Sequence, residues 1–414
     1  MTVTSHFPLK NTKLFQPIKV GNNELSNRIA YVPTTRIRAL EDHSPSDLQV
    51  EYYKARSQYP GTLIETEATF ISESAGLYPH IPGIYQESHV QGWKKVNDAI
   101  HANKSFSVIQ LWNLGRVADP NSLKQAGLTL RGPSAIYPDE VQEKKAIEAG
   151  NPIKELTEDE IHDMIYNQYP QAARNALEAG FDYMELHAAH GYLFDQFLQP
   201  AANKRTDKYG GSIENRARFL LEVLDNLIPI VGADKLAIRI SPWATFQGME
   251  AENDEVHPVT TFSYLLHELQ KRANKGNKLA FISVVEPRAN GNVDVDVSKY
   301  SLQSNSFVGL IWKGIILKAG NYTYDAPEFK TIQQDVEDDR TLIGFSRYFT
   351  SNPDLVHRLA EGLELTPYNR DTFYSPTNWG YNTWSNYNST ENFDEEAESK
   401  RLPKPVESIK AASQ

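Results

Sequence analysis

Apolar residues along this chain gather into eight short runs separated by longer amphipathic stretches. The runs are RIAYVP (28–33), TLIETEATF (62–70), SFSVIQLWN (105–113), YMELHAAH (183–190), LAIRISP (236–242), AFISVVEP (280–287), GIILKAG (314–320) and TLIGFSRYF (341–349). Each is nearly continuous in apolar character and rich in β-branched or aromatic residues, as strands buried on both faces of a parallel sheet are. Between them the period changes to that of a helix. SDLQVEYYKARSQ, VQGWKKVNDAIHANK, TEDEIHDMIYNQYPQAARNALEAG, ENRARFLLEVLDNLIPIVG, TTFSYLLHELQKRANKG, DAPEFKTIQQDVED and NPDLVHRLAEG all predict helices. Thr157 followed by Glu160 is a capping box for the third, and Gly180 stops it. Strands alternating with helices predict α/β architecture with a parallel sheet, and eight repeats close a (β/α)8 TIM barrel. An open doubly wound sheet is the rival; its G-x-G-x-x-G after a strand is absent, as is a P-loop.

Three segments break the repeat. LFQPIKVGNNELSNRIAY alternates around Gly21-Asn22-Asn23 and predicts a hairpin plugging the bottom of the barrel. Residues 116–156 predict an insertion capping the C-terminal face. From Ser389 onward, STENFDEEAESKRLPKPVESIKAASQ is polar, charged and proline-containing. The expected organisation is one barrel domain over 1–388 and a disordered tail over 389–414.

Composition narrows the functional classes. The 414 residues are 40% hydrophobic and 23% charged, enough to bury a full core. A net charge of −11 without a basic stripe argues against nucleic acid as a partner. The absence of cysteine removes disulfides, thiolate zinc sites and cysteine-held iron–sulfur clusters. No signal-like apolar region and no run of about 18 apolar residues occurs, so a membrane partner is not expected. The expectation is a cytoplasmic protein, monomer or homodimer, acting on a small molecule.

In a (β/α)8 barrel the C-terminal strand ends face the active site. Those ends carry Thr34 and Thr35, then Gln110 and Trp112, then His187, His190 and Tyr192, then Arg239, Gly320-Asn321 and Ser346-Arg347. An arginine in a buried strand needs an anion, because an unpaired buried charge costs several kcal/mol. Two such arginines and a Gly-Asn turn after strand seven point to a bound anion at the usual phosphate position of the fold. The alternative is that each arginine pairs with a carboxylate from the next strand. The histidines of HAAHGY admit three readings. They could ligate zinc with Asp195 nearby, sit as satisfied structural histidines, or grip a substrate oxygen beside Tyr192. A tyrosine with a pKa of about 10 keeps its proton at neutral pH and can deliver it to a developing carbanion.

With these residues assembled, the chain resembles the Old Yellow Enzyme family of flavin-dependent ene-reductases, in its yeast and fungal branch. The resemblance spans about residues 12–375 and is carried by HAAHGYLFDQFLQPAANKRTDKYGGSIENRARFLLEV, LFQPIKVGNNELSNRIA and TLIGFSRYFTSNPDLVHRLAEGLELTPYNRDTFY. It implies noncovalent FMN on the C-terminal face, NADPH as reductant, and no metal. Pro33, Thr34, Thr35 and Ala68 would line the flavin, with Thr35 donating to the C4 oxygen. Gln110 would read the pyrimidine edge, and Arg239 would sit by N1 and the C2 oxygen. Gly320, Asn321, Ser346 and Arg347 would hold the phosphate. His187 and His190 would bind a carbonyl or nitro oxygen while Tyr192 protonates the α-carbon. Tyr78, Trp112, Phe246, Phe281 and Tyr374 would shape the pocket.

Several positions depart from the commonest pattern. His190 stands for a frequent Asn, and Ser346 and Ala68 each stand for a frequent Gly. Asn113 and Arg116 are less usual and are expected near the pocket mouth, where they would bear on substrate preference. The expected activity is reduction of the activated C=C bond of α,β-unsaturated aldehydes, ketones, imides or nitroalkenes. A flavin-binding barrel without reductase activity and a metal-dependent lyase or aldolase are the rival classes.

Overall fold

The computed structural model describes residues 5–296 and 302–406. Eight parallel strands close a barrel: β1 (Ile29–Tyr31), β2 (Leu63–Phe70), β3 (Phe106–Trp112), β4 (Tyr183–Ala188), β5 (Leu236–Ile240), β6 (Phe281–Val285), β7 (Ile315–Ala319) and β8 (Thr341–Phe345). Each pairs with its neighbours in chain order and β8 closes on β1, through Ile343↔Ile29 and Phe345↔Tyr31. All eight predicted runs are strands. TLIGFSRYF is shorter than its pattern suggests: β8 ends at Phe345, and Ser346 caps the short helix Arg347–Ser351.

All seven predicted helical segments contain a helix. The Thr157–Glu160 capping box forms in both directions, and Gly180 adopts a left-handed φ of 89° at the stop. Between β6 and β7 the structure adds a helix that periodicity does not announce, Ser306–Ile311. Six residues make less than two turns, too few to show a repeat.

The expected hairpin is Ile18–Val20 paired with Asn23–Leu25. Ile18, Val20 and Leu25 pack against Leu63, Val108, Tyr183 and Leu342 and seal the barrel's N-terminal end. Tyr183 locks the plug, accepting from Asn23 Nδ2 at 3.0 Å and donating to the Val20 carbonyl at 2.8 Å. Phe281 belongs to this lower layer, with its ring 6.3 Å from that of Tyr183. It opens β6 rather than ending it, so it is not a pocket residue as expected; the strand points it to the closed end.

Within the insertion, helices Pro120–Gln125 and Glu140–Glu148 accompany a small parallel pair, Arg131–Gly132 with Lys154–Glu155. Asn113 and Arg116 anchor this region instead of meeting the pocket. Asn113 Oδ1 accepts from the Gly115 N–H at 3.0 Å. Arg116, 1% exposed, donates to the Gln247 and Gly248 carbonyls, each at 3.0 Å. Their expected role near the mouth is therefore replaced by a structural one, tying the insertion to the loop after β5.

The expected disordered tail folds back in its described part. Helix Glu395–Glu398 follows an Asp394 cap, and Lys404–Pro405 runs beside the start of helix Asp47–Arg56. The Asp47 N–H donates to the Lys404 carbonyl at 3.0 Å, and Arg401 ion-pairs with Glu51 at 2.5 Å. Polar composition is satisfied here by partners on the barrel surface. Residues 407–414 of that expectation lie outside the described residues. No described helix is long and apolar enough to cross a membrane.

Candidate active site

The C-terminal strand ends surround a cavity of about 690 Å³. Every residue expected there lines it except Phe281, Asn113 and Arg116. Pro33, Thr34 and Thr35 follow β1, and Ala68 comes from β2. The Thr34 hydroxyl lies 2.8 Å from that of Ser346, joining the mouths of β1 and β8. Gln110 and Trp112 stand on β3, His187 on β4 and Arg239 on β5. Tyr78, Phe246 and Tyr374 come from three different loops and form the outer rim.

The turn after β4 is built to aim side chains. His190 takes a left-handed φ of 56°, uncommon for a residue with a Cβ, and Gly191 follows at 72°. Ser241 Oγ accepts from the His190 N–H and the Asp195 carboxylate from the Gly191 N–H, each at 2.8 Å. A Cβ at Gly191 would lie 2.8 Å from the Phe246 carbonyl oxygen, so glycine is required. Asp195 is fully spent on this turn, accepting also from Gln199. Among the described residues no group of three His, Cys, Asp or Glu side chains could hold a metal ion.

This turn brings His187, His190 and Tyr192 together. The ring of Tyr192 lies 4.8 Å from those of His187 and Trp112, edge to face in both cases. The two imidazoles are 6.1 Å apart. His187 Nδ1 and His190 Nε2 are buried and have no protein partner. Desolvation, with the Arg239 charge added, holds His190 down to about 3. Desolvation first, then His190 and Arg239, push His187 well below the ordinary imidazole range. Both rings are neutral at physiological pH and can each donate one N–H. Burial raises the Tyr192 phenol, so it keeps its proton, and the Gln247 side chain hydrogen-bonds it.

The two arginines differ. Arg239, 7% exposed, has Nε and Nη1 buried without a partner. Beside it, Gln110 Nε2 donates to Glu185 at 2.7 Å, which leaves the amide oxygen for a donor in the cavity. Arg347 is paired, its Nη1 donating to Asp294 at 2.8 Å and to the Tyr368 hydroxyl at 3.2 Å. Asp294 comes from the small hairpin Ala289–Asn290/Val293–Asp294 after β6, not from the next strand. Gly320, at φ 135°, and Asn321, at 46°, form the turn after β7.

Sequence reasoning missed Gln247, Arg370, Tyr368 and Asp294, all outside the barrel strands, and the carboxyls of Glu65 and Glu185. The last two had a signal, since an acid inside an apolar strand is as conspicuous as an arginine.

Fold and cavity together define a (β/α)8 barrel whose site joins a pair of unpartnered histidines and a proton-bearing tyrosine to two arginines. Residues 13–366 match the NADH:flavin oxidoreductase / NADH oxidase family, and the chain belongs to that family. It is an oxidoreductase, and its cofactor is FMN. Among its relatives, a probable NADPH dehydrogenase of Candida albicans is 61% identical, over 91% of this chain and 92% of that protein. Enoate reductase 1 of Kluyveromyces lactis is 44% identical, over 92% of this chain and 95% of that one. The crystal structure of Old Yellow Enzyme from Pichia sp. AKU4542 superposes with a TM-score of 0.91 at 47% identity, covering 97% of this chain and all of that chain.

The residues present fit the cofactor. Unpartnered donors on Arg239 and a free amide oxygen on Gln110 suit the polar edge of a flavin ring. The Gly320–Asn321 turn and Arg347, at the other end of the cavity, suit a phosphate.

Proposed function

We propose that the protein is an NADPH-dependent ene-reductase that reduces the activated C=C bond of α,β-unsaturated aldehydes, ketones, imides or nitroalkenes. FMN, when bound, would supply the hydride-transfer chemistry between NADPH and the alkene. Arg239 holds a fixed positive charge where the reduced ring gathers electrons, a preorganised electrostatic contribution. Gln110 would accept from the pyrimidine edge of the cofactor, and Thr35 would donate to its C4 oxygen. Pro33, Thr34 and Ala68 shape the flavin bed, while Gly320, Asn321, Ser346 and Arg347 hold the phosphate. His187 and His190 donate to the substrate's carbonyl or nitro oxygen. Tyr192 places its proton on the α-carbon. Tyr78, Trp112, Phe246 and Tyr374 enclose the substrate.

One observation carries this reading: two neutral imidazole nitrogens without partners converge beside a protonated phenol, in the same cavity as Arg239. A metal lyase would need a third ligand near the histidines, and Asp195 is committed to the Gly191 turn. The test is anaerobic. The FMN-loaded protein is bleached with NADPH, and 2-cyclohexenone is then added. Return of the oxidised flavin spectrum with formation of cyclohexanone supports the reading. Bleaching without enone turnover, or a colourless protein carrying zinc, defeats it.

A further inference from the structure

Strand β2 holds two carboxylates two residues apart, Glu65 and Glu67, which strict alternation would place on one face. The pairing with β3 shifts register between Glu65 and Ala68, and this bulge separates them. Glu67 faces helix Asp47–Arg56, where it accepts from Gln49 at 2.8 Å and from the Tyr53 hydroxyl at 3.3 Å. Glu65 faces the barrel interior. There its carboxyl meets that of Glu185 on β4, in hydrogen-bond contact. Both residues are 0% exposed. No N–H or hydroxyl reaches either oxygen of Glu65 or Oε2 of Glu185, whereas Glu185 Oε1 accepts from Gln110.

Two ionised carboxylates cannot share such a place, because each would pay desolvation and repel the other. A shared proton removes both problems and supplies the missing donor. The groups acting on Glu65 are Glu185 and the Arg239 guanidinium from β5. Ser283 of β6 lies beside Glu185 without a hydrogen bond to it, and His187, adjacent to Arg239 in register, is neutral. Desolvation, then Glu185, raises Glu65 well above the usual carboxylate range. Desolvation raises Glu185 too, but Arg239 and the Gln110 amide favour its charged form. The Gln110 amide already donates to Glu185, whereas no group donates to either oxygen of Glu65, so the proton resides on Glu65.

We propose that Glu65 is a neutral carboxylic acid in the working protein, and that its O–H, donating to Glu185, sets the Gln110 amide and the charge beside Arg239. Glu65 is a positioning residue. Its O–H and the Gln110 N–H hold the Glu185 carboxylate between them, and this turns the Gln110 carbonyl oxygen toward the cavity. With one proton, the pair carries a single negative charge against the single positive charge of Arg239. Losing that proton would add a second negative charge beside Arg239, which would disfavour electron uptake by a cofactor bound there.

The test has one arm without cofactor and one with it; the second rests on the flavin reading above. In flavin-free protein at neutral pH, infrared difference spectra of wild type against Glu65→Gln should show loss of a protonated-carboxyl band. An acid with a raised folded pKa stays protonated while the unfolded chain ionises, so folded stability falls as pH rises from about 4.5 toward the folded value. Glu65→Gln should flatten that loss. With FMN bound, Glu65→Gln keeps an N–H donor to Glu185 and should retain the wild-type midpoint potential at neutral pH. It should also lack the steeper fall in potential that wild type shows at alkaline pH. Glu65→Leu removes the donor and should weaken FMN binding about fivefold, the net worth of one hydrogen bond. Absence of the band difference, or a Gln variant displaced in potential as far as Leu, overturns the proposal. Failure to bind FMN would strike the flavin reading and leave the infrared result standing.

Discussion

At the β3–β5 end of the cavity, Trp112, His187, His190 and Arg239 present ring or guanidinium nitrogens that no protein atom satisfies; at the β7–β8 end, Arg347 is already matched by Asp294 and Tyr368. An unsatisfied buried donor costs about 1–3 kcal/mol, and more when charged. Such donors persist where the surrounding structure over-determines them. The first group is held that way, by strands paired on both sides and by a turn whose N–H groups are pinned to Ser241 and Asp195. Arg347 begins a five-residue helix and meets a carboxylate on a two-residue strand. One end is preorganised for ligands; the other has to exchange one anion for another.

If the β3–β5 end is preorganised for chemistry, its largest single contribution comes from Tyr192. Tyr192→Phe should leave flavin reduction by NADPH nearly unchanged, since no negative charge grows on an α-carbon in that half-reaction. Reoxidation by an enone should slow by roughly 10²–10⁴-fold, the scale of general-acid catalysis. Nitroalkenes give a stabilised nitronate and should still reoxidise the variant. Stopped-flow absorbance of the flavin separates the two halves; equal slowing of both would remove Tyr192 from the acid role.

Arg347→Ala tests the opposite end. Loss of charge-assisted bonds to a phosphate should weaken FMN binding by about 2–3 kcal/mol, leaving a folded, largely colourless protein. Excess FMN should restore colour and raise Tm by mass action. Full flavin retention through dialysis would make Arg347 structural.

The histidine pair should matter somewhat less. Replacing both His187 and His190 with Ala should cost about 1–3 kcal/mol in kcat/KM with flavin content unchanged. Because both rings are already neutral, cyclohexenone binding should show no titration near 6.5, the ordinary imidazole value. Stability carries a second signature. Unfolded imidazoles protonate below about 6.5 while His190 resists until about 3. The unfolded chain therefore binds more protons in that window, and folded stability is lost as pH falls through it. The double variant should lose less over the same range, read as Tm against pH.

The same contrast explains what could be read from the sequence. Most of what the C-terminal strand ends carry was legible, because period and position in a (β/α)8 barrel decide what faces the cavity: Gln110, Trp112, His187, Arg239 and the Gly320–Asn321 turn. The resemblance to a known family added Ala68 and the rim. Phe281 failed because a strand has two ends and an aromatic residue at its start points to the plug. Glu65 was hidden by the β2 bulge, which breaks the alternation that assigns a side. Asn113 and Arg116 failed because backbone groups as partners leave no mark in sequence. Asp294 was invisible for a related reason: loop contacts follow from closure geometry, not from periodicity. The tail was misjudged on composition, since Arg401 and Lys404 find partners on one helix.

The smallest predicted effect is the sharpest test of the contrast. Asp294 competes with the cofactor phosphate for Arg347, so Asp294→Asn should tighten FMN binding where Arg347→Ala weakens it. The gain is limited. The Asp294 side chain is 39% exposed and that of Arg347 17%, and partly exposed pairs are worth at most about 1 kcal/mol, or about fivefold in Kd. The association rate should rise with the affinity, because Arg347 no longer has to leave a partner. Salt should narrow the difference, since screening weakens the wild-type pair before binding begins. Quenching of FMN fluorescence by flavin-free protein measures both rate and affinity. Weaker binding in the Asn variant would mean that Asp294 holds Arg347 in position for the phosphate rather than occupying it, and both ends of the cavity would then be preorganised.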